Sequence, residues 1–128
     1  MRAALKFVDT LPGLGPNRDF VLESVTGAEG LYRLTAERDA DERLYLVDPS
    51  RCVDGYHPAI PEAALAHLAL GPDEDPLVLV VVNPADGKPV VNLLAPILVN
   101  PSNGAAEQVI LEGDDWPLRA ALSRVGRN

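Results

Sequence analysis

Cys52 and His57 are the side chains of this sequence whose types and spacing best suit a nucleophile and its general base. A thiol in such a pair needs activation by a neighbouring base or by a helix N-terminus. No glycine-rich elbow or helix start precedes Cys52, and Tyr56-His57-Pro58 is typical of an extended loop. We therefore predict a half-buried loop cysteine and no catalytic residue. An enzyme that uses Cys52 and His57 is kept as an alternative.

The spacing of the histidine, cysteine and glycine residues does not indicate a metal or cofactor site. His57 and His67 lie ten residues apart, whereas a helical zinc site of the H-E-x-x-H type needs histidines four residues apart. The single cysteine excludes an internal disulfide and a cysteine-based zinc site. The glycines at 13 and 15 are followed by Pro16, which does not fit a dinucleotide-binding loop. We predict no metal and no cofactor.

Acidic residues outnumber basic ones, 19 to 11, which gives a formal net charge of −8. Such a surface cannot replace the counterions of a phosphate backbone, so direct nucleic-acid binding is not expected, whereas a basic protein partner would be attracted. Asp73, Glu74 and Asp75 form an acidic run before a predicted strand. This run is either a solvated loop tip or a contact surface for a cationic partner, and both interpretations stay open.

The apolar segments are too short to contact a membrane by insertion. The longest, residues 77–82, is far below the roughly 20 residues that a spanning helix needs. The apolar run near the N-terminus is too short for a signal peptide. We expect no membrane partner and a cytoplasmic location. The length of 128 residues predicts one domain over residues 1–128.

The elements that would carry these residues are short strands separated by turn residues. Strands are predicted at residues 3–8, 20–25, 31–35, 44–47, 77–82 and 108–111, with a charged hairpin tip at 37–43. Pro61 and Gly71 bracket a predicted helix over residues 61–70. Residues 116–127 form either a short helix or a frayed tail. The pattern predicts an all-β, mainly antiparallel small barrel or roll with one short helix.

The stretch from residue 90 to 100, which follows a predicted turn at 84–88, is unusual for a strand. It holds Pro96 and two amides, Asn92 and Asn100, inside an otherwise apolar run. Because a proline cannot donate to a ladder, the strand must bulge or break there. We predict that the two amides satisfy backbone groups that the proline leaves open. A bulge that only closes the barrel is the purely structural explanation of the same pattern.

Residues 92–100, Asn-Leu-Leu-Ala-Pro-Ile-Leu-Val-Asn, resemble the signature of the FliW family of bacterial flagellar assembly factors, which is close to Asn-Leu-Leu-Ala-Pro-Ile-Val-Ile-Asn. Further similarities follow in family order: Leu-Pro-Gly at 11–13, Phe-Val-Leu at 20–22, Leu-Val-Asp-Pro at 46–49, Tyr-His-Pro-Ala-Ile-Pro at 56–61, Gln-Val-Ile-Leu-Glu at 108–112 and Trp-Pro-Leu-Arg at 116–119. Val90-Val91 and Ala105-Ala106-Glu107 depart from the usual family residues, which bears on the contact surface more than on the fold.

The resemblance implies a small β-barrel that binds flagellin in the cytoplasm as a chaperone-like partner before export. In many bacteria such a protein also binds a CsrA-type RNA-binding regulator and relieves repression of flagellin translation. Neither role uses a cofactor or catalysis. The predicted protein-binding residues are Asn92, Leu93, Leu94, Ala95, Pro96, Asn100, Tyr56, Asp73, Glu74 and Asp75. A small-ligand-binding barrel is a further alternative, and it would need a wide interior.

Overall fold

The computed structural model describes residues 2–84, 87–113 and 115–121. Within them the chain is mostly strand, with one short α-helix and one 3-10 turn. The strands are β1 Arg2–Phe7, β2 Asp19–Ser24, β3 Leu31–Ala36, β4 Asp39–Val47, β5 Leu77–Asn83, β6 Val90–Val91, β7 Ile97–Val99, β8 Ala105–Gln108 and β9 Ala120–Ala121. The 3-10 turn covers Pro49–Arg51, and the helix α1 covers Glu62–His67.

Seven of these strands close into a barrel, in the order β4-β3-β2-β1-β8-β7-β5 and back to β4. Neighbours in the ring are antiparallel except β1 and β8, which pair in parallel through Lys6 with Ala105 and Phe7 with Ala106. β6 and β9 extend the sheet outside the ring. The predicted fold class, a mainly antiparallel barrel with a short helix, is confirmed.

Apolar side chains fill the barrel interior, because alternate residues of each strand point to the same face. The rings of Phe7 and Phe20 meet edge to face with their centroids 5.4 Å apart. The other interior residues are Leu5, Leu22, Leu34, Ala36, Leu46, Leu79, Ile97, Val99 and Ala106, all buried. Since these side chains occupy the interior, the described strands do not enclose the wide cavity that a small-ligand-binding barrel needs.

The helix α1 lies against the outer face of the barrel. Its Ala64 and the following Leu68 pack on Leu98, Val109 and Leu111. It ends earlier than the predicted residue 70, because Ala69 adopts the left-handed conformation with φ of 57°. A non-glycine residue in this conformation does not continue a right-handed helix. The helix is therefore a short brace with one apolar side.

The predicted hairpin tip at residues 37–43 is wrong. β4 already begins at Asp39, and the turn is confined to residues 37 and 38. A bulge takes up the extra residues, since Ala36 pairs with Asp39 while the preceding Thr35 pairs with Arg43. Charged side chains are compatible with this part of β4 because it is exposed to solvent.

Two C-terminal predictions also need correction. β8 ends at Gln108, where the predicted strand 108–111 would begin. Beyond it, the N–H groups of Val109 and Leu111 donate to the carbonyls of Pro96 and Leu94, at 3.0 and 2.8 Å. The described part of the predicted helix or tail at 116–127 is not helical and contains β9, which pairs with β6. Residues 122–127 lie outside the described residues.

Candidate functional site

The segment at residues 92–96 connects β6 to β7, both of which pair with β5. The predicted break in the strand at Pro96 is confirmed, because regular pairing with β5 resumes only at Ile97. Asn92 organises the break: its Oδ1 accepts hydrogen bonds from the N–H groups of Leu94 and Ala95, both at 3.1 Å. An asparagine that binds the backbone two and three residues ahead fixes a turn locally.

Asn100 holds the other end of the predicted site. Its side chain is buried, its Nδ2 donates to the carbonyl of Leu68 at 2.8 Å, and its Oδ1 accepts from the N–H of Ser102 at 2.9 Å. Asn103 donates to the same Leu68 carbonyl at 3.3 Å. The carbonyl at the end of α1 has no helical partner, so these amides satisfy it and tie the helix to the barrel.

Tyr56 contacts the segment through both its hydroxyl and its ring. The hydroxyl donates to the carbonyl of Leu93 at 2.7 Å, and the ring packs edge to face on Trp116 with centroids 4.7 Å apart. Burial raises the pKa of Tyr56 to about 12, so the hydroxyl stays protonated as a donor at neutral pH. The structure thus brings Tyr56 and the signature segment together, as structural partners.

The other predicted protein-binding residues differ in their access to solvent. Leu93, Ala95, Pro96 and Asn100 are buried, whereas Asn92 and Leu94 are partly exposed. The side chains of Leu93, Pro96 and Asn100 are too deeply buried to contact a partner in this conformation. A contact between this segment and a partner stays a prediction. Such a contact would involve its partly exposed residues, Asn92 and Leu94.

The acidic loop of Asp73, Glu74 and Asp75 is exposed and leads into β5. Its described hydrogen bonds are local: the carboxylate of Glu74 accepts from the N–H of Gly71 at 2.7 Å. No described hydrogen bond joins this loop to residues 92–96, but the loop leads into Leu77, which pairs with Val99 beside Asn100.

Cys52 and His57 do not form an activated pair in the described structure. The thiol is buried, with its Sγ 3.7 Å from the carbonyl oxygen of Asp48, and His57 is exposed. Burial, with a smaller contribution from the Asp48 charge, raises the pKa of the Cys52 thiol. A raised pKa disfavours the thiolate, which is the nucleophilic form. Among the residues that the structure describes, no group of three or more His, Cys, Asp or Glu side chains could hold a metal ion.

A surface feature that the sequence analysis missed is an open groove of about 510 Å³. We call it the Ile110 groove, and its apolar residues are Leu11, Pro12, Leu44, Val81, Ala95, Ile110 and Leu118. Ile110 and Leu118 are 68% and 57% exposed, while Leu44 and Val81 pack against the barrel core. Because alternate residues of a strand face opposite sides, the predicted strand at 108–111 could have indicated that Ile110 is exposed. The position of Leu118 in the same groove could not be predicted, because the fold alone brings the two residues to one surface.

The chain also matches a known family along nearly its whole length. A family model described as "FliW protein" matches residues 1–122. The chain belongs to the FliW family. The family resemblance of residues 92–100 is thereby confirmed, and with it the general role of flagellar assembly factor.

Curated FliW relatives agree with this membership. "Flagellar assembly factor FliW 2" of Desulfotalea psychrophila is 34% identical over 127 residues, covering 97% of this chain and 83% of the relative. "Flagellar assembly factor FliW" of Syntrophotalea carbinolica is 34% identical over 118 residues, 91% of this chain and 84% of the relative. That of Thermotoga maritima is 32% identical over 120 residues, with 91% and 80% covered.

A solved FliW structure has the same fold. The "Crystal structure of the flagellar assembly factor FliW" superposes with a TM-score of 0.85 at 22% identity, covering 94% of this chain and 85% of that one. At this identity the likeness concerns the fold alone. Separately, none of the helices in the described ranges is long and apolar enough to cross a membrane.

Proposed function

We propose that this FliW-family chain binds flagellin in the cytoplasm and keeps it from aggregating before export, acting by binding alone. The observation that supports this most strongly is the family match over residues 1–122. The relatives named above are flagellar assembly factors. The target on flagellin would be an amphipathic terminal segment, because such segments stay unburied until the filament assembles.

The surface chemistry supports binding over catalysis. The one cysteine is buried with a raised pKa, so it is a poor nucleophile. Exposed apolar side chains gather in the Ile110 groove, which is the kind of surface that marks a protein contact. Because side chains fill the barrel interior, a partner would bind to the outer surface of the barrel.

The test of flagellin binding uses purified monomeric flagellin and this chain. We expect heat in titration calorimetry, and a one-to-one complex on gel filtration that contains no cofactor. We also expect flagellin to aggregate more slowly in the presence of the chain. The proposal fails if calorimetry shows no heat and the two proteins elute separately.

A second partner is proposed where the organism has a CsrA-type regulator. An RNA-binding protein must carry a basic surface, and this chain has a net charge of −8 with an exposed acidic loop at residues 73–75. In this scheme the chain antagonises the regulator, and flagellin displaces the regulator from it. Gel filtration of the preformed complex, with flagellin added stepwise, should release the regulator. Retention of the regulator at excess flagellin would contradict the scheme.

A further inference from the structure

The Ile110 groove combines exposed aliphatic side chains with an apolar floor. Single exposed apolar residues are ordinary on protein surfaces, but a contiguous patch is not. The exposed Ile110 and Leu118 line it together with the partly buried Leu44 and Val81, which pack against the barrel core. A partner's aliphatic side chains could therefore be buried against a rigid surface.

The groove includes a backbone N–H that the described residues leave without a hydrogen bond. The N–H groups of Val109 and Leu111 donate to the carbonyls of Pro96 and Leu94. The N–H of Ile110, which lies between them, has no hydrogen-bond partner among the described residues. In an extended chain alternate N–H groups point to opposite sides, so the backbone of Ile110 faces away from residues 94–96.

The N–H of Ile110 is left without a described partner because β1 stops before β8 does. The last backbone contact between them is the N–H of Val8 with the carbonyl of Ala106, at 2.8 Å. The chain then turns away through residues 9–14, of which Leu11 and Pro12 also line the groove. The gap therefore lies where a longer β1 would continue beside residues 108–112. An added strand from a partner could occupy this gap.

The charge of the groove is negative. Among the residues that the structure describes, its titratable lining residues are Asp9 and Glu107, and no described lysine or arginine lines it. Glu107 also lies 3.1 Å from Nδ1 of His67, on α1. Arg119 follows Leu118 in the sequence and is exposed, but it is not among the lining residues. Asn92 and Gln108, the lining amides, are held by hydrogen bonds to backbone of residues 94–95, which keeps the walls fixed before binding.

We propose that the Ile110 groove binds an extended segment of a protein partner, with aliphatic side chains at alternate positions and lysine or arginine beside them. The segment adds as a short strand along the backbone of Ile110 and buries its aliphatic side chains on Leu44, Val81 and Leu118. The acidic lining attracts its positive charges. That this segment belongs to flagellin rests on the proposed function above.

The first experiment measures flagellin binding to groove variants by calorimetry. Ile110→Ser and Leu118→Ser should each weaken binding about tenfold, because each removes a central apolar contact. Tyr45→Ser is the matched control: Tyr45 is also partly exposed, at 39%, but it does not line the groove. Tyr45→Ser should bind as the wild type does. Equal affinities for the wild type and both groove variants would overturn the proposal.

The role of the Ile110 N–H is tested by comparing Ile110→Ala with Ile110→Pro. Both lose the isoleucine side chain, but only the proline variant loses the N–H. Because that N–H has no described partner in the free protein, the melting temperatures of the two variants should be close. The proline variant should bind about fivefold more weakly than the alanine variant. If Ile110→Pro fails to fold, amide exchange on the wild type replaces it, and bound flagellin should slow the exchange of the Ile110 N–H.

A probe that does not depend on flagellin separates this inference from the proposed function. A synthetic Lys-Val-Lys-Val-Lys-Val peptide should change the fluorescence of Trp116, the single tryptophan, which lies two residues before Leu118. It should also protect the Ile110 amide. If the peptide binds and flagellin does not, the groove does bind extended segments, but flagellin is not its ligand. If neither binds the wild type, or if the wild type is a dimer that Ile110→Ser dissociates, the proposal is overturned.

Discussion

At the scale of single residues, Asn92 and Asn100 connect the signature segment to its surroundings. Replacing Asn100 with alanine should lower the free energy of unfolding by about 2–3 kcal/mol, since it removes a buried hydrogen bond to the Leu68 carbonyl and a part-buried one from the Ser102 N–H. Asn92→Ala should cost about 1–2 kcal/mol, because the N–H groups it satisfies are only partly buried. Urea denaturation measures both.

Asn103→Ala is the control for these asparagines. Asn103 donates to the same Leu68 carbonyl, but at 3.3 Å and from an exposed position. Its loss should cost less than about 1 kcal/mol. If Asn92→Ala or Asn100→Ala abolishes flagellin binding while the melting temperature stays unchanged, the residue is a contact residue and the structural assignment is wrong.

Tyr56 gives a prediction about pH. Burial raises its pKa to about 12, whereas the unfolded chain ionises near pH 10. The unfolded state then loses its proton first, so this residue's contribution to stability is complete below pH ~10 and is lost as the pH rises toward about 12. Tyr56→Phe should cost about 1 kcal/mol at pH 7, because the Leu93 carbonyl loses its donor.

Urea denaturation of the wild type and of Tyr56→Phe, from pH 7 to pH 11, checks this prediction. The wild type should lose more stability than the variant above pH ~10, so the gap between them narrows. Subtracting the two curves removes the titration of the other tyrosines and the lysines. Parallel curves over the whole range would show that the hydroxyl of Tyr56 is not protected in the folded state.

At the scale of elements, the acidic loop at residues 73–75 is predicted to speed association with a basic regulator. Changing Asp73, Glu74 and Asp75 to Asn, Gln and Asn should slow the association rate and barely change the dissociation rate. Glutamine keeps an acceptor for the N–H of Gly71, so the fold should be unchanged. Raising salt from about 50 to about 500 mM shortens the Debye length from roughly 14 to roughly 4 Å and should have a similar effect.

The matched control for the loop removes three acidic groups elsewhere. Asp39, Asp41 and Glu42 of β4 can be changed to Asn, Asn and Gln, which alters the net charge by the same amount. Surface plasmon resonance compares the two triple variants. If both slow association equally, net charge matters and the position of the loop does not. If neither differs from the wild type, the loop is a solvated connection.

The elements show how far local sequence determines the fold. The break at Pro96 and the role of Asn92 are predictable, because a proline and a nearby amide act on backbone within a few residues. The predicted role of Asn100 is wrong in its partner: its amide donates to the carbonyl of Leu68, 32 residues away in the sequence, and not to a group that Pro96 leaves open.

The start of β4 at Asp39 could not be predicted from the sequence. Its charged residues suggest a turn, but they lie in an exposed strand with a bulge. The Ile110 groove could not be predicted either. It depends on where β1 ends relative to β8, and only the closed barrel determines this relative position.

At the scale of the whole molecule, Gly104 is critical for barrel closure. Its carbonyl accepts from the N–H of Lys6 at 2.9 Å, its φ is +80°, and a Cβ there would lie 2.5 Å from the carbonyl oxygen of Ala4. Gly104→Ala should lower the free energy of unfolding by about 2–3 kcal/mol, because the strained φ and the clash add together. Thermal and urea denaturation measure the loss.

Gly13→Ala isolates the effect of the backbone conformation. Gly13 has the same φ of +80°, but nothing lies within 4 Å of the position of its Cβ. This variant should lose only about 1 kcal/mol. A loss at Gly104 no larger than that at Gly13 would mean that β1 and β8 can move apart to admit a methyl group without cost.

The parallel pairing of β1 with β8 also has a consequence for how the protein is made. Lys6 and Phe7 leave the ribosome early, but their partners, Ala105 and Ala106, are synthesised about a hundred residues later. The ring therefore cannot close before residues 105 and 106 are available, and the edge of β1 that faces β8 stays unpaired until then. Contacts so distant in sequence slow folding. A freshly translated molecule should therefore reach its binding-competent form only after residues 105 and 106 have emerged from the ribosome.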